Sequence, residues 1–135
     1  MTVEGMIRLR SNCGPQETID RLRAALQARG LTLFAAIDHA AGATGVGLAL
    51  RPTVVLIFGN AKGGTPLMQA AQTIGIDLPL KALVWQDAAD DTWFSYHDPA
   101  WLAARHGIAE QTGAIVANLS AMLDGLAKAV TSGGA

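Results

Sequence analysis

The chain has 135 residues, half of them apolar, enough for one domain that hides about two-thirds of its unfolded surface. Ten basic residues stand against eleven acidic ones, a balance that leaves no electrostatic footprint for nucleic acid and no basic face for a membrane. A single cysteine, Cys13, excludes an intramolecular disulfide and a thiolate-rich zinc site. MTVEGMIRLR lacks the apolar centre of a secretory signal, so the expected setting is the cytoplasm.

Val3, Gly5, Ile7 and Leu9 alternate with polar or longer neighbours, a period of two that predicts a half-buried first strand. SNCG reads as a turn, and Pro15 suits the first position of a helix. Ile19, Leu22, Ala25 and Leu26 then give PQETIDRLRAALQAR one apolar face, and Gly30 stops it. LTLFAAID alternates again, with Leu31, Leu33, Ala35 and Ile37 expected on one face. From Ala40 to Leu50 the text fits a short helix or an irregular crossover, ended by Arg51-Pro52.

TVVLIF is continuous and β-branched, as in a strand covered on both faces. Thr65 is the expected N-cap of the next helix, with Pro66 at its first position and Gly75 at its end. IDLP follows as a loop. LKALVWQD and TWFSYH flank DAADD as a hairpin. Asp98-Pro99 starts a short helix that Gly107 closes. The last helix carries an apolar stripe at Ile115, Leu119, Met122, Leu126 and Val130. No run reaches the roughly 18 apolar residues of a membrane span.

The pattern predicts an α+β fold: a mostly antiparallel sheet of about five strands, helices packed on one face, and a C-terminal amphipathic helix. Residues 1–130 form the expected single domain, and 131–135 a disordered tail.

FGNAKGGTPLM, residues 58–68, is the segment most suggestive of chemistry. A nucleotide-binding P-loop needs its lysine just before the helix, whereas Gly64-Thr65 leaves no place for it and Lys62 comes three residues early. Two readings stay open. The turn's N–H groups, Lys62 and Thr65 hold a carboxylate or phosphate, or Gly63 and Gly64 take positive φ merely to reverse the chain.

Asp38-His39 offers an acid beside an imidazole, a pairing suited to general-base work. A backbone-bonded histidine at a strand end is the plainer alternative. His39, His97 and His106 show no metal-ligand spacing, so no metal is expected. Cys13, near a helix start, is placed where a thiolate would be favoured, but with no partner visible it reads as an incidental free thiol. Trp85, Trp93 and Tyr96 cluster on the hairpin, and Asp87, Asp90 and Asp91 read as its solvated tip.

DHA (38–40), LRPT (50–53), FGNAKGGTPLM (58–68), DLPLKALVW (77–85), YHDP (96–99) and ARHG (104–107) occur in one order. In these linked motifs, from about Glu17 to Gly107, the chain resembles the domain of unknown function 302 family. Ala61 stands where that family usually has proline, and His97 where it usually has asparagine. The resemblance implies a compact α+β domain, often a homodimer, and brings no established activity, cofactor or catalytic residue.

The polar groups at these motif positions are expected to share one cleft. Asn60, Lys62, Gly63, Gly64, Thr65, Asp98 and His106 would bind an anionic small molecule there, with His39 and Asp38 as the candidate acid–base pair. A binding or sensing domain, an enzyme on a small anionic metabolite and a purely structural homodimer are the three functional readings. The expected partner is a second copy, through the C-terminal stripe.

Overall fold

A computed structural model describes residues 2–133. Five strands, β1 (Met6–Ser11), β2 (Thr32–Asp38), β3 (Thr53–Gly59), β4 (Leu80–Gln86) and β5 (Thr92–His97), form one sheet in the order β1-β5-β4-β3-β2. Every neighbouring pair is antiparallel. The helices are α1 (Pro15–Ala28), α2 (His39–Gly45), α3 (Ala61–Ala70), α4 (Pro99–Arg105) and α5 (Gly113–Thr131), with a 3-10 segment at Gln72–Asp77. This is the α+β architecture expected from the sequence.

Strand register decides which side chains meet the helices. Val84 lies opposite Phe94, Leu56 opposite Ala82, and Ala82 opposite Tyr96. Alternation puts them on one face, where Ile19, Leu22 and Leu26 of α1 and Leu123, Leu126 and Val130 of α5 bury them. A second cluster joins Leu67, Ile74, Leu102, Ala103, Ile108 and Val116 beyond the sheet. The apolar stripe of α5 is thus spent largely inside the domain. Leu126 and Val130 are buried and Met122 packs on the same core, while Ile115 and Leu119 are half-buried against the second cluster.

The opposite sheet face carries Val55, Ile57, Leu83, Trp85 and Trp93, all half-buried, with Ile37 exposed. TVVLIF is therefore covered on one face only. Trp85 and Trp93 stack there, with centroids 6.3 Å apart, and the Arg8 guanidinium lies 4.6 Å over Trp93.

Several boundaries moved for local reasons. A bulge between Leu33 and Ala35 breaks the alternation of β2: Leu33 joins the core, while Phe34 is left 57% exposed. Asn60, not Thr65, caps α3: its side chain accepts from the Gly63 N–H at 2.8 Å. Gly63 and Gly64 consequently lie inside the helix, and the positive φ belongs to Gly59. Pro66 falls within α3 and not at its start. The 3-10 segment replaces the expected helix end and part of the IDLP loop.

At the C-terminus, Thr131 is buried within α5, and its carbonyl accepts from the Asn12 N–H at 2.8 Å. The helix therefore reaches into the expected tail; residues 134–135 of that tail lie outside the described residues. By length and mean hydropathy, 1.3, α5 is apolar enough to cross a membrane. The sequence reading missed this because Asn118, Ser120, Asp124 and Lys128 interrupt every continuous apolar run.

Candidate functional site

β3 delivers the chain to Gly59, Asn60 turns it, and α3 carries it away across the end of the sheet. Between this turn and α5 lies a cavity of about 400 Å³. Leu67, Met68, Leu78, Leu80, Leu119 and Met122 give it an apolar wall, and the exposed Phe34 stands at its margin. Asn60, Gly63, Gly64 and Thr65 supply its few polar groups and close backbone. Gly64 faces the wall closely: a β-carbon there would sit in ordinary contact, 3.6 Å from Leu78 and 3.8 Å from Met68, and a longer side chain would extend into the cavity. The size falls within the range of small-molecule sites, about 300–1,000 Å³.

A second polar constellation lies where α4 meets the 3-10 segment. His106, at the C-cap of α4, places Nε2 2.6 Å from Asp77 Oδ2 and Nδ1 2.9 Å from Thr73 Oγ1. Arg105 Nη1 donates to both Asp77 oxygens, at 2.8 and 2.9 Å. Asp77 and His106 are well covered, at 13% and 9% side-chain exposure, whereas Arg105 is 51% exposed. Burial pushes the Asp77 carboxyl up, but the His106 hydrogen bond and the Arg105 charge outweigh it and hold the group below its ordinary range.

The expected site residues divide into three places. Asn60, Gly63, Gly64 and Thr65 line the cavity, and Lys62 is exposed in the same turn without lining it. His106 belongs to the Asp77 constellation, and Asp98 caps α4, accepting from the Ala100 N–H at 3.0 Å. Asp38 and His39 are elsewhere. Register puts Asp38 opposite Val54 and Thr32 opposite Gly59, so His39, just past β2, lies beside the start of β3, whereas Lys62 follows its end, about 16 Å along the strand. A single cleft holding both is not formed. Asp38 instead caps α2, accepting from the Ala41 N–H at 2.9 Å.

The remaining sequence candidates are accounted for locally. Asp87 organises the hairpin tip, accepting from the Ala89 and Asp91 N–H groups and from Trp93 Nε1. Those hydrogen bonds, the Trp93 one foremost, hold its carboxyl below the ordinary range. Cys13 is buried and free, and its thiol is pushed up by the Glu17 side chain and by burial, so the helix start does not activate it. No group of three or more His, Cys, Asp or Glu side chains suited to a metal occurs among the described residues.

The sequence reading missed Asp77, Thr73 and Arg105, as well as the apolar wall. Asp77 and Arg105 lie inside the DLPLKALVW and ARHG motifs, so motif membership was the available signal. Thr73 had none.

Compared with known proteins, the chain matches the model of the family described as "Domain of unknown function DUF302" over residues 7–126. The chain belongs to the DUF302 family. Among solved structures, an uncharacterised DUF302 protein from Bacillus stearothermophilus superposes with a TM-score of 0.84 at 20% identity, covering 95% of this chain and 99% of its own. At that identity the likeness concerns the fold. Two curated proteins named fluoride-specific ion channel FluC 1, from Brucella suis and Brucella abortus, are each 45% identical over 104 residues. The match covers 77% of this DUF302 chain but only 41% and 38% of those proteins. The chain thus spans about two-fifths of the length of the curated relatives it matches.

Proposed function

We propose that this DUF302 domain binds a small amphipathic molecule in the cavity between the β3–α3 turn and α5. The observation that carries the reading is the cavity itself, built at the glycine turn. Its apolar wall suits a hydrocarbon or ring body, worth about 25 cal/mol for each Å² taken out of water. Its polar groups gather at the first turn of α3, where the helix dipole favours an anionic or hydrogen-bond-accepting end. Lys62, exposed beside the opening, adds a positive charge to that end. The expected small anionic ligand therefore gains an apolar body, and His39 drops out of its site.

The probe that tests this is anilinonaphthalene sulfonate, an apolar ring system bearing one anionic group. Saturable one-to-one binding is expected, weakened at least tenfold by Gly64→Leu, whose side chain grows toward Leu78 and Met68. A variant that keeps its circular dichroism and still binds with unchanged affinity would overturn the proposal.

The Brucella relatives support a second reading. In them a segment similar to this chain is part of a protein named as a fluoride-specific channel, so the domain would serve beside such a channel. Deleting the chain should then raise fluoride sensitivity in its host, and unchanged sensitivity would remove this reading.

A further inference from the structure

Thr73 and Asp77 hang from the same 3-10 segment, and the His106 ring bridges them through its two nitrogens. Asp77, hydrogen-bonded to His106 and paired with Arg105, can only accept, so in the base form of the ring it takes the Nε2–H. That tautomer, assigned from the network, leaves Nδ1 bare, and the Thr73 hydroxyl donates to it at 2.9 Å. The order hydroxyl, imidazole, carboxylate is the arrangement that turns a weak nucleophile into a useful one.

We propose that Thr73 is a nucleophile for carboxylic esters, with His106 as its general base. Asp77 and Arg105 are positioning residues that fix the ring and its tautomer. Two observations raise this above a simple brace between α4 and the 3-10 segment. A brace needs only the Asp77 contacts, whereas here the remaining ring nitrogen meets a hydroxyl that is itself exposed, while the ring and carboxylate behind it are covered. Arg105 also makes both of its Asp77 bonds through Nη1, so Nε and Nη2 are not used in holding Asp77 and stay available as donors to an anionic group.

In the reaction, Thr73 Oγ1 forms a bond to the ester carbonyl carbon as its proton passes to His106 Nδ1. The tetrahedral intermediate collapses, the bond to the leaving alkoxide breaks, and that oxygen takes the proton from Nδ1. Water then attacks the threonyl ester through the same base. The carboxylic acid leaves, and the Thr73 hydroxyl is restored.

Neither Thr73 nor His106 lines the cavity, so this inference stands or falls independently of the ligand proposed there. The test is to incubate the full chain with p-nitrophenyl acetate, follow nitrophenolate release, and locate acetyl groups by intact mass and peptide mapping. One acetyl on Thr73 is expected, forming at least about 100-fold faster than in His106→Gln, the span general-base catalysis commonly supplies. Thr73→Ser should retain the reaction, Thr73→Val should lose it with the fold intact, and Asp77→Asn should lower the maximal rate with little change in KM. Acetyl confined to lysines, or a Thr73→Val chain as fast as the wild type, would overturn the proposal.

Discussion

Replacing Asp77 with asparagine removes one charge from a site where three short contacts meet. The carboxylate accepts from His106 at 2.6 Å and from Arg105 at 2.8 and 2.9 Å, and its side chain is 13% exposed. A hydrogen bond to a charged group contributes about 1.5–3 kcal/mol. The half-exposed Arg105 pair is screened and adds about 0–1 kcal/mol. Asparagine keeps one acceptor but presents an amide N–H to a partner that is also a donor, so we expect a loss of about 2–3 kcal/mol.

Urea denaturation of wild type and Asp77→Asn at neutral pH measures this directly, through a lower midpoint at unchanged slope. The sign of the pH dependence follows from the depressed folded pKa. The contribution is fully present above the unfolded value of 3.8 and is lost as pH falls through the lower folded value. The gap between the two proteins should therefore persist to about pH 4 and close below it. A gap under about 0.5 kcal/mol at neutral pH, or one that widens on acidification, would refute the assignment of Asp77 as the anchor joining α4 to the 3-10 segment.

Asn60→Ala should cost about 1 kcal/mol by uncapping α3 and should weaken anilinonaphthalene sulfonate binding, since the cap shapes the cavity rim; chemical denaturation and a fluorescence titration read the two effects. Gly5→Ala should destabilise by more than 2 kcal/mol, roughly the cost of strain and overpacking together. Gly5 has φ 75, and a β-carbon there would run into the Trp101 ring, so near-ultraviolet dichroism should change with stability. A homodimer remains our proposal for the assembly, now through the sheet face that carries Leu83, Trp85 and Trp93. Sedimentation should show a dimer at micromolar concentration and a monomer for Leu83→Glu; a monomeric wild type would remove the proposal.

Legibility in the sequence followed the range of the interactions. Pro15, Gly30, Asp98-Pro99 and Gly107 act through backbone geometry within a few residues, and they placed α1 and α4 closely. The period of two marked β1 and β2 but not the bulge at Phe34, because a bulge depends on how β2 meets β3. At the glycine turn, Thr65-Pro66 mimicked a helix start, and Asn60 won because its side chain reaches Gly63. Half of the candidate site was visible as the turn itself. The apolar wall was hidden, since Leu119 and Met122 come from a helix that follows the turn by some fifty residues and joins it only after folding. Asp38 and His39 looked chemical by adjacency, while strand register carried them to the other end of the sheet.

The central claim is a small ligand in the cavity at the β3–α3 turn. Native mass spectrometry of gently purified protein, repeated after denaturation and on Gly64→Leu, tests it most directly. The account predicts an extra small mass on the wild type that is lost on denaturation and absent from Gly64→Leu. An identical extra mass on both proteins would place the ligand elsewhere and contradict the account.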